Sequence, residues 1–149
     1  MQKDPVMPAA HPFYVYVASR ASIPERSAMW RRYRKLWVPI ISSWIDEAGE
    51  GETNDFAELW ARIISEIGQS SVLVLYAEEQ DFPLKGALIE AGIALGMGKP
   101  VYVALPGVAL EGRTCRPVGS WIRHPLVRVF DKVTDALNAT HRLSIGEKP

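Results

Sequence analysis

The residue best suited to do chemistry is a glutamate in an apolar setting. Glu90 lies in the stretch Leu84–Leu95, flanked by Leu88, Ile89, Ala91 and Ile93, with Gly86 one helical turn earlier. Two readings fit it. Glu90 can share a solvent stripe with Lys85, or it can aim a carboxylate at a ligand, with Gly86 and Gly92 leaving room for close approach. A carboxylate in the second position can attack an anomeric carbon and form a glycosyl ester while a second acid protonates the leaving group. That leaving group can be a base as well as a sugar oxygen. Other chemistries lack their residues. There is no GxxxxGK[ST] or GxGxxG phosphate loop and no GxSxG nucleophile elbow. His11, His124 and His141 lack metal-site spacing, and Cys115 stands alone. A Cys115–His124 nucleophile pair is the remaining option there, against a plain loop cysteine.

The elements that must position Glu90 form a strand–helix–strand unit. Val72–Tyr76 is a continuous apolar, β-branched run, as expected of a strand buried on both faces. Glu78, Glu79, Gln80 and Asp81 end it, and Pro83 suits the first turn of a helix. Leu84, Ala87, Leu88, Ala91 and Leu95 then follow helical spacing until Gly96, Gly98 and Pro100 stop them. Val101–Leu105 is the next buried strand, and the crossover is long enough for the two to run parallel.

Upstream, Met1–Pro12 reads as a flexible arm and Phe13–Ala18 as the first strand. Ser22 and Glu25 have capping-box spacing, with Pro24 in the first turn of a helix reaching about Lys35. Val38–Ile45 is the second strand, started or edged by Pro39. Asp46–Asn54 is an acidic, glycine-containing loop, and Asp55–Ile67 an amphipathic helix. Downstream come a loop over 106–117, a fifth strand Leu126–Phe130, and a helix capped by Asp131 through about Asn138. The alternation predicts an α/β fold in one domain over 13–140, a flavodoxin-like doubly wound sheet of five parallel strands in order 2-1-3-4-5, with a tail over 141–149. Ligands of such sheets bind outside the carboxyl ends of the strands, where the strand order reverses. Those ends carry Ser19 and Arg20, Trp44 and Asp46, and Tyr76, Glu78 and Glu79, on the rim where Gly86 and Glu90 begin their helix.

Four stretches carry a resemblance: YVASRASIPER, SSWID, SSVLVLYAEE and LKGALIEAGIALGMGKPVYV. Together they resemble the nucleoside 2-deoxyribosyltransferase-like superfamily, particularly its small phage-type members, over roughly Phe13 to Leu105. The resemblance implies a flavodoxin-like fold, a nucleoside or nucleotide ligand, Glu90 as the nucleophile, and transfer of deoxyribose or hydrolysis of the N-glycosidic bond without metal or organic cofactor. It also implies a site completed across a subunit interface. Two departures stand out. Ser71 occupies the place of an acidic residue found in many members, and Ser19-Arg20-Ala21-Ser22 replaces a glycine-rich loop. The acid partner is therefore sought among Asp46, Asp55, Glu79 and Asp81, with Asp46 and Glu79 best placed and Asp55 and Asp81 read more simply as loop or cap acids. Arg20 can grip a 5′-phosphate or form a surface salt bridge. Trp44 and Tyr76 can stack a base or fill the core. Two rival readings share the fold: an inert nucleotide sensor and a TIR-like NAD glycohydrolase.

Seventeen basic and seventeen acidic side chains cancel, which argues against a nucleic-acid-coating or membrane-surface protein. No run has transmembrane length and the N-terminus lacks a signal-peptide core. With one cysteine, the expectation is a cytoplasmic protein. Five tryptophans and a helix at 55–67 more apolar than one packed face needs predict a homodimer or larger homo-oligomer.

Overall fold

The computed structural model describes residues 12–47 and 53–147. Four parallel strands, β1 Val15–Ala18, β2 Val72–Tyr76, β3 Val101–Ala104 and β4 Val127–Phe130, form one sheet in the order β1-β2-β3-β4. Every residue of β1 and β3, and all of β2 but Tyr76, is buried, which is why these strands read as unbroken apolar runs. The edge strand β4 is half-exposed. Among the described residues five α-helices accompany the sheet: α1 Pro24–Leu36, α2 Trp44–Glu47, α3 Phe56–Gln69, α4 Gly86–Gly96 and α5 Val133–Ser144.

The helices lie on both faces. Tyr16 pairs in register with Leu73, so Tyr16 and Tyr76 point to opposite sides of the sheet. Tyr16 meets α4 through Glu90, whereas Tyr76 meets Trp30 of α1 edge-on. α5 joins the α1 side through the His141–Trp37 ring contact.

The sheet has four strands where five were expected. Val38–Ile45 does not form a strand; it contributes one parallel bridge, Val15 to Ile40, on the outer edge of β1. Val15 N–H donates to the Pro39 carbonyl at 2.9 Å, and Ile41 N–H donates to the Val15 carbonyl at 3.0 Å. After that, side chains replace backbone. Val17 N–H donates to Ser42 Oγ at 2.7 Å, and the Val17 carbonyl accepts from Trp44 Nε1 at 2.7 Å. These two bonds satisfy the edge of β1 and free the chain to turn into α2. The polar SSW of this segment therefore finishes the edge without extending the ladder.

Several boundaries also move. The Ser22–Glu25 capping box is absent: the N-cap of α1 is Ile23, and Ser22 Oγ accepts from Arg20 Nε. α4 begins at Gly86, not at Leu84, and α5 is capped at Lys132 with no side-chain bond from Asp131. α5 continues to Ser144, so His141–Ser144, expected in the tail, is helical. Asp46 and Glu47 of the expected acidic loop belong to α2. Its residues 48–52, the arm over 1–11 and positions 148–149 lie outside the described residues. Among the described residues no helix is long and apolar enough to cross a membrane.

Candidate active site

A cleft of about 370 Å³ opens between the loop after β1, helices α2 and α3, and the start of α4. Two loops supply cations: Arg20 after β1 and Lys85 before α4. α2 and α3 supply Trp44, Glu47, Leu59, Trp60 and Ile63, a largely apolar and aromatic wall. Glu90 lines the cleft from α4, one turn after Gly86. A methyl group built on Gly86 meets only the Trp60 ring, at 3.9 Å, so Gly86 and Trp60 lie against one another in the wall. Gly92 is exposed, with open space around it, and is not part of the cleft lining.

Glu90 is 7% exposed. Its Oε1 accepts a hydrogen bond from the Tyr16 hydroxyl at 2.9 Å. Burial pushes the Glu90 carboxyl up to about 8; the Tyr16 bond pulls it back, and the nearby Glu66 carboxylate adds to the rise. The Tyr16 phenol is itself driven upward by burial and by the Glu90 charge, so it remains a proton donor. Glu66, also buried, accepts from Ser43 N–H and Ser43 Oγ at 3.1 Å each. The solvent-stripe reading of Glu90 therefore fails: Leu88 and Ile89, at 40% and 55% exposure, occupy the outer surface instead.

Of the residues singled out from sequence, Ser19, Arg20, Trp44, Gly86 and Glu90 line the cleft together. Three others lie elsewhere. Asp46 makes an exposed bidentate pair with Arg34 at 2.7 and 2.8 Å, and those bonds hold its carboxyl below the usual range, the wrong direction for a proton donor. Glu79 is exposed on the 3₁₀ turn Glu79–Asp81, away from the cleft lining. Tyr76 donates to Glu78 Oε2 at 2.7 Å beneath the Arg26 guanidinium, and burial pushes its phenol up to about 12. Asp55 caps α3, and Asp81 is fully buried against Arg26.

Two retained residues have anchoring partners. Trp44 spends its indole N–H on Val17, and Ser19 Oγ accepts from Trp30 Nε1 at 2.9 Å. Arg20 reaches the Gln80 and Asp81 carbonyls at 3.4 and 3.5 Å, long contacts that leave its charge at the cleft.

Sequence reasoning missed Tyr16, Glu47 and Trp60. Tyr16 carries a hydroxyl in a strand where every neighbour is apolar and fully buried, and a buried phenol needs a partner; that was the available signal. Glu47 stands one position beyond the chosen Asp46. Trp60 was absorbed into the apolar face of its helix. Among the described residues no cluster of three or more His, Cys, Asp or Glu could hold a metal ion.

No family model matches the sequence, and no curated protein matches it at a significant level. Solved structures do match. One is a 2-desoxiribosyltransferase from Leishmania mexicana, with a TM-score of 0.59 and 16% identity over 91% of this chain and 100% of that one. Another is a Clostridium botulinum CMP N-glycosidase, with a TM-score of 0.47 and 14% identity over 88% of this chain and 98% of that one. The first of these likenesses establishes that the chain has the parallel α/β fold of a deoxyribosyltransferase, over nearly its whole length.

Proposed function

We propose that the protein breaks the N-glycosidic bond of a deoxynucleoside or its 5′-monophosphate, by hydrolysis or by transfer of the deoxyribosyl group. The observation that carries this reading is Glu90: a buried carboxyl that lines a cleft at the carboxyl ends of the strands, held there by Tyr16. In the ionised form, one Glu90 oxygen bonds to C1′ as the C1′–N bond breaks, and the base leaves with the bonding pair and is protonated by water. Water or a second base then attacks C1′, releasing the carboxylate. Tyr16 keeps the attacking carboxylate in one orientation and stabilises its charge through the hydrogen bond. The cations Arg20 and Lys85 suit a 5′-phosphate, and the half-exposed Trp60 is a better stacking platform than the anchored Trp44 or the distant Tyr76. The likeness in fold to a 2-desoxiribosyltransferase supports the same chemistry.

A second reading rests on a specific observation. Neither Asp46 nor Glu79 lines the cleft, which favours a nucleotide sensor without turnover. Incubation with deoxynucleosides, their 5′-monophosphates and NAD, followed by chromatography for free base, decides the matter. Release of a nucleobase from a deoxynucleoside or deoxynucleotide is the expected result. A rise in melting temperature with no base released would leave the sensor, and nicotinamide release would make the protein an NAD glycohydrolase instead.

The assembly we propose is a homodimer or larger. Phe56 and Ile64 of α3 and Leu88 and Ile89 of α4 are exposed on adjoining helices next to the cleft. Such a concentration of apolar surface suits an interface. Light scattering at micromolar concentration is expected to give at least twice the 16.6 kDa chain mass; a monomer mass would count against the assembly.

A further inference from the structure

Glu47 brings a second carboxylate to the cleft, and the mechanism above leaves it without a task. Its position is tightly set. Arg62 Nη1 donates to Glu47 Oε2 and to Ser43 Oγ, both at 2.6 Å, while Arg62 Nε and Nη2 grip both oxygens of Glu58 at 3.0 and 3.1 Å. The guanidinium thus acts as a fixed bracket between α2 and α3. Glu47 Oε1 accepts no hydrogen bond among the described residues. The side chain is 37% exposed and lines the cleft.

The surroundings say which end of a ligand it meets. Glu47 belongs to the α2–α3 wall with Trp44 and Trp60, the part of the cleft suited to a flat ring. The cations come from the other two loops. We infer that Glu47 is a specificity-determining residue that accepts a hydrogen bond from the exocyclic amino group of the base, so that the preferred substrates carry cytosine, adenine or guanine. This rests on the N-glycosidic reading and narrows it to a substrate class. A carboxylate has only acceptors to offer. It pairs well with an amino donor, as in direct readout of cytosine by acidic side chains. A ring carbonyl in the same place sets two acceptors against one another and leaves both short of a donor.

The test uses two matched pairs, dCMP against dUMP and dAMP against dIMP, in which an amino group is exchanged for a carbonyl. Titration calorimetry on the Glu90→Gln full-length protein reads binding without turnover, and base release by the Glu90 protein is measured in parallel. The amino member of each pair is expected to bind about tenfold or more tightly. Glu47→Gln, whose amide can donate as well as accept, is expected to bring each ratio within about threefold. Equal affinities within both pairs for the Glu47 protein would overturn the assignment while leaving the N-glycosidic reading in place. So would a preference that survives Glu47→Gln, or a loss of affinity equal for all four nucleotides. Failure of all four nucleotides to bind, with no base released from any, would instead remove the N-glycosidic reading and this inference with it.

Discussion

Replacing Glu90 with glutamine is expected to lower base release by roughly 10³–10⁶-fold, as loss of a covalent nucleophile does, while the fold stays intact. The amide keeps the size of the side chain and its ability to bond Tyr16, but cannot attack C1′. The same substitution has a signature in stability. The folded chain holds the Glu90 proton between pH 4.5 and about 8, because burial disfavours the charged form, whereas the unfolded chain has released it. The folded state therefore binds more protons across that window, and stability falls as the pH rises through it. Each pKa unit is worth ~1.4 kcal/mol, so the cost at pH 8 is on the order of a few kcal/mol. Glutamine does not titrate. The two proteins are expected to melt together near pH 5 and to diverge toward pH 8, with Glu90→Gln the more stable. Attack requires the ionised carboxyl, so kcat/KM of the Glu90 protein is expected to rise with pH toward 8. Near-normal base release by the variant would sink the mechanism; parallel melting curves from pH 5 to 8 would show that Glu90 is not held protonated.

Arg26→Ala is expected to cause the largest loss of stability, about 3–5 kcal/mol. Arg26 and Asp81 have side chains 6% and 0% exposed, and two hydrogen bonds, at 3.0 and 3.1 Å, join them. The third guanidinium nitrogen reaches Glu78 at 3.0 Å, and the Tyr76 ring lies 5.2 Å beneath. Asp81 Oδ2 also accepts the Glu78 N–H at 2.8 Å, so this cluster fixes the turn after β2 to α1. Alanine at position 26 would leave the Asp81 charge buried without its partner, and an uncompensated buried charge is far costlier than the pair is favourable. Tm should fall by roughly 6–20 °C for a chain of this size. The turn leads directly into Pro83, Leu84 and Lys85 of the cleft, so nucleotide affinity should fall with it. Urea unfolding measures the first effect; a change below about 1 kcal/mol would mean that water replaces the lost partner and the cluster is not closed.

The strand–helix–strand core and its polarity follow from the sequence alone. Val72–Tyr76 and Val101–Leu105 have no polar positions that a one-sided strand could turn to water, so only strands buried on both faces accommodate them, and the crossover between them fixes their parallel direction. The rim at the carboxyl ends of those strands was the expected place for a site; Ser19, Arg20, Trp44, Gly86 and Glu90 line one cleft there, whereas Asp46, Tyr76, Glu78 and Glu79, expected on the same rim, do not line it.

Which way Glu90 faces was not fixed by periodicity. α4 is apolar nearly all round, so its spacing has no polar stripe to mark the outside; only the packing of α4 on β1, with Tyr16 waiting beneath, turns the glutamate inward and leaves Leu88 and Ile89 out. The acids of the loops were equally undetermined. Asp46, Glu47, Asp81 and Glu79 lie near strand ends in sequence, yet Arg34 draws Asp46 to the surface, Arg62 holds Glu47 in the cleft, Arg26 buries Asp81, and Glu79 is left exposed on its turn. The expected second strand failed for a related reason: Val38–Ile45 has the right composition, but Ser42 and Trp44 satisfy the edge of β1 with side chains before a ladder can form. Local spacing encodes which residues share a face of one element. The partner of each charge and polar edge is set by contacts between elements distant in sequence, and those exist only once the chain has folded.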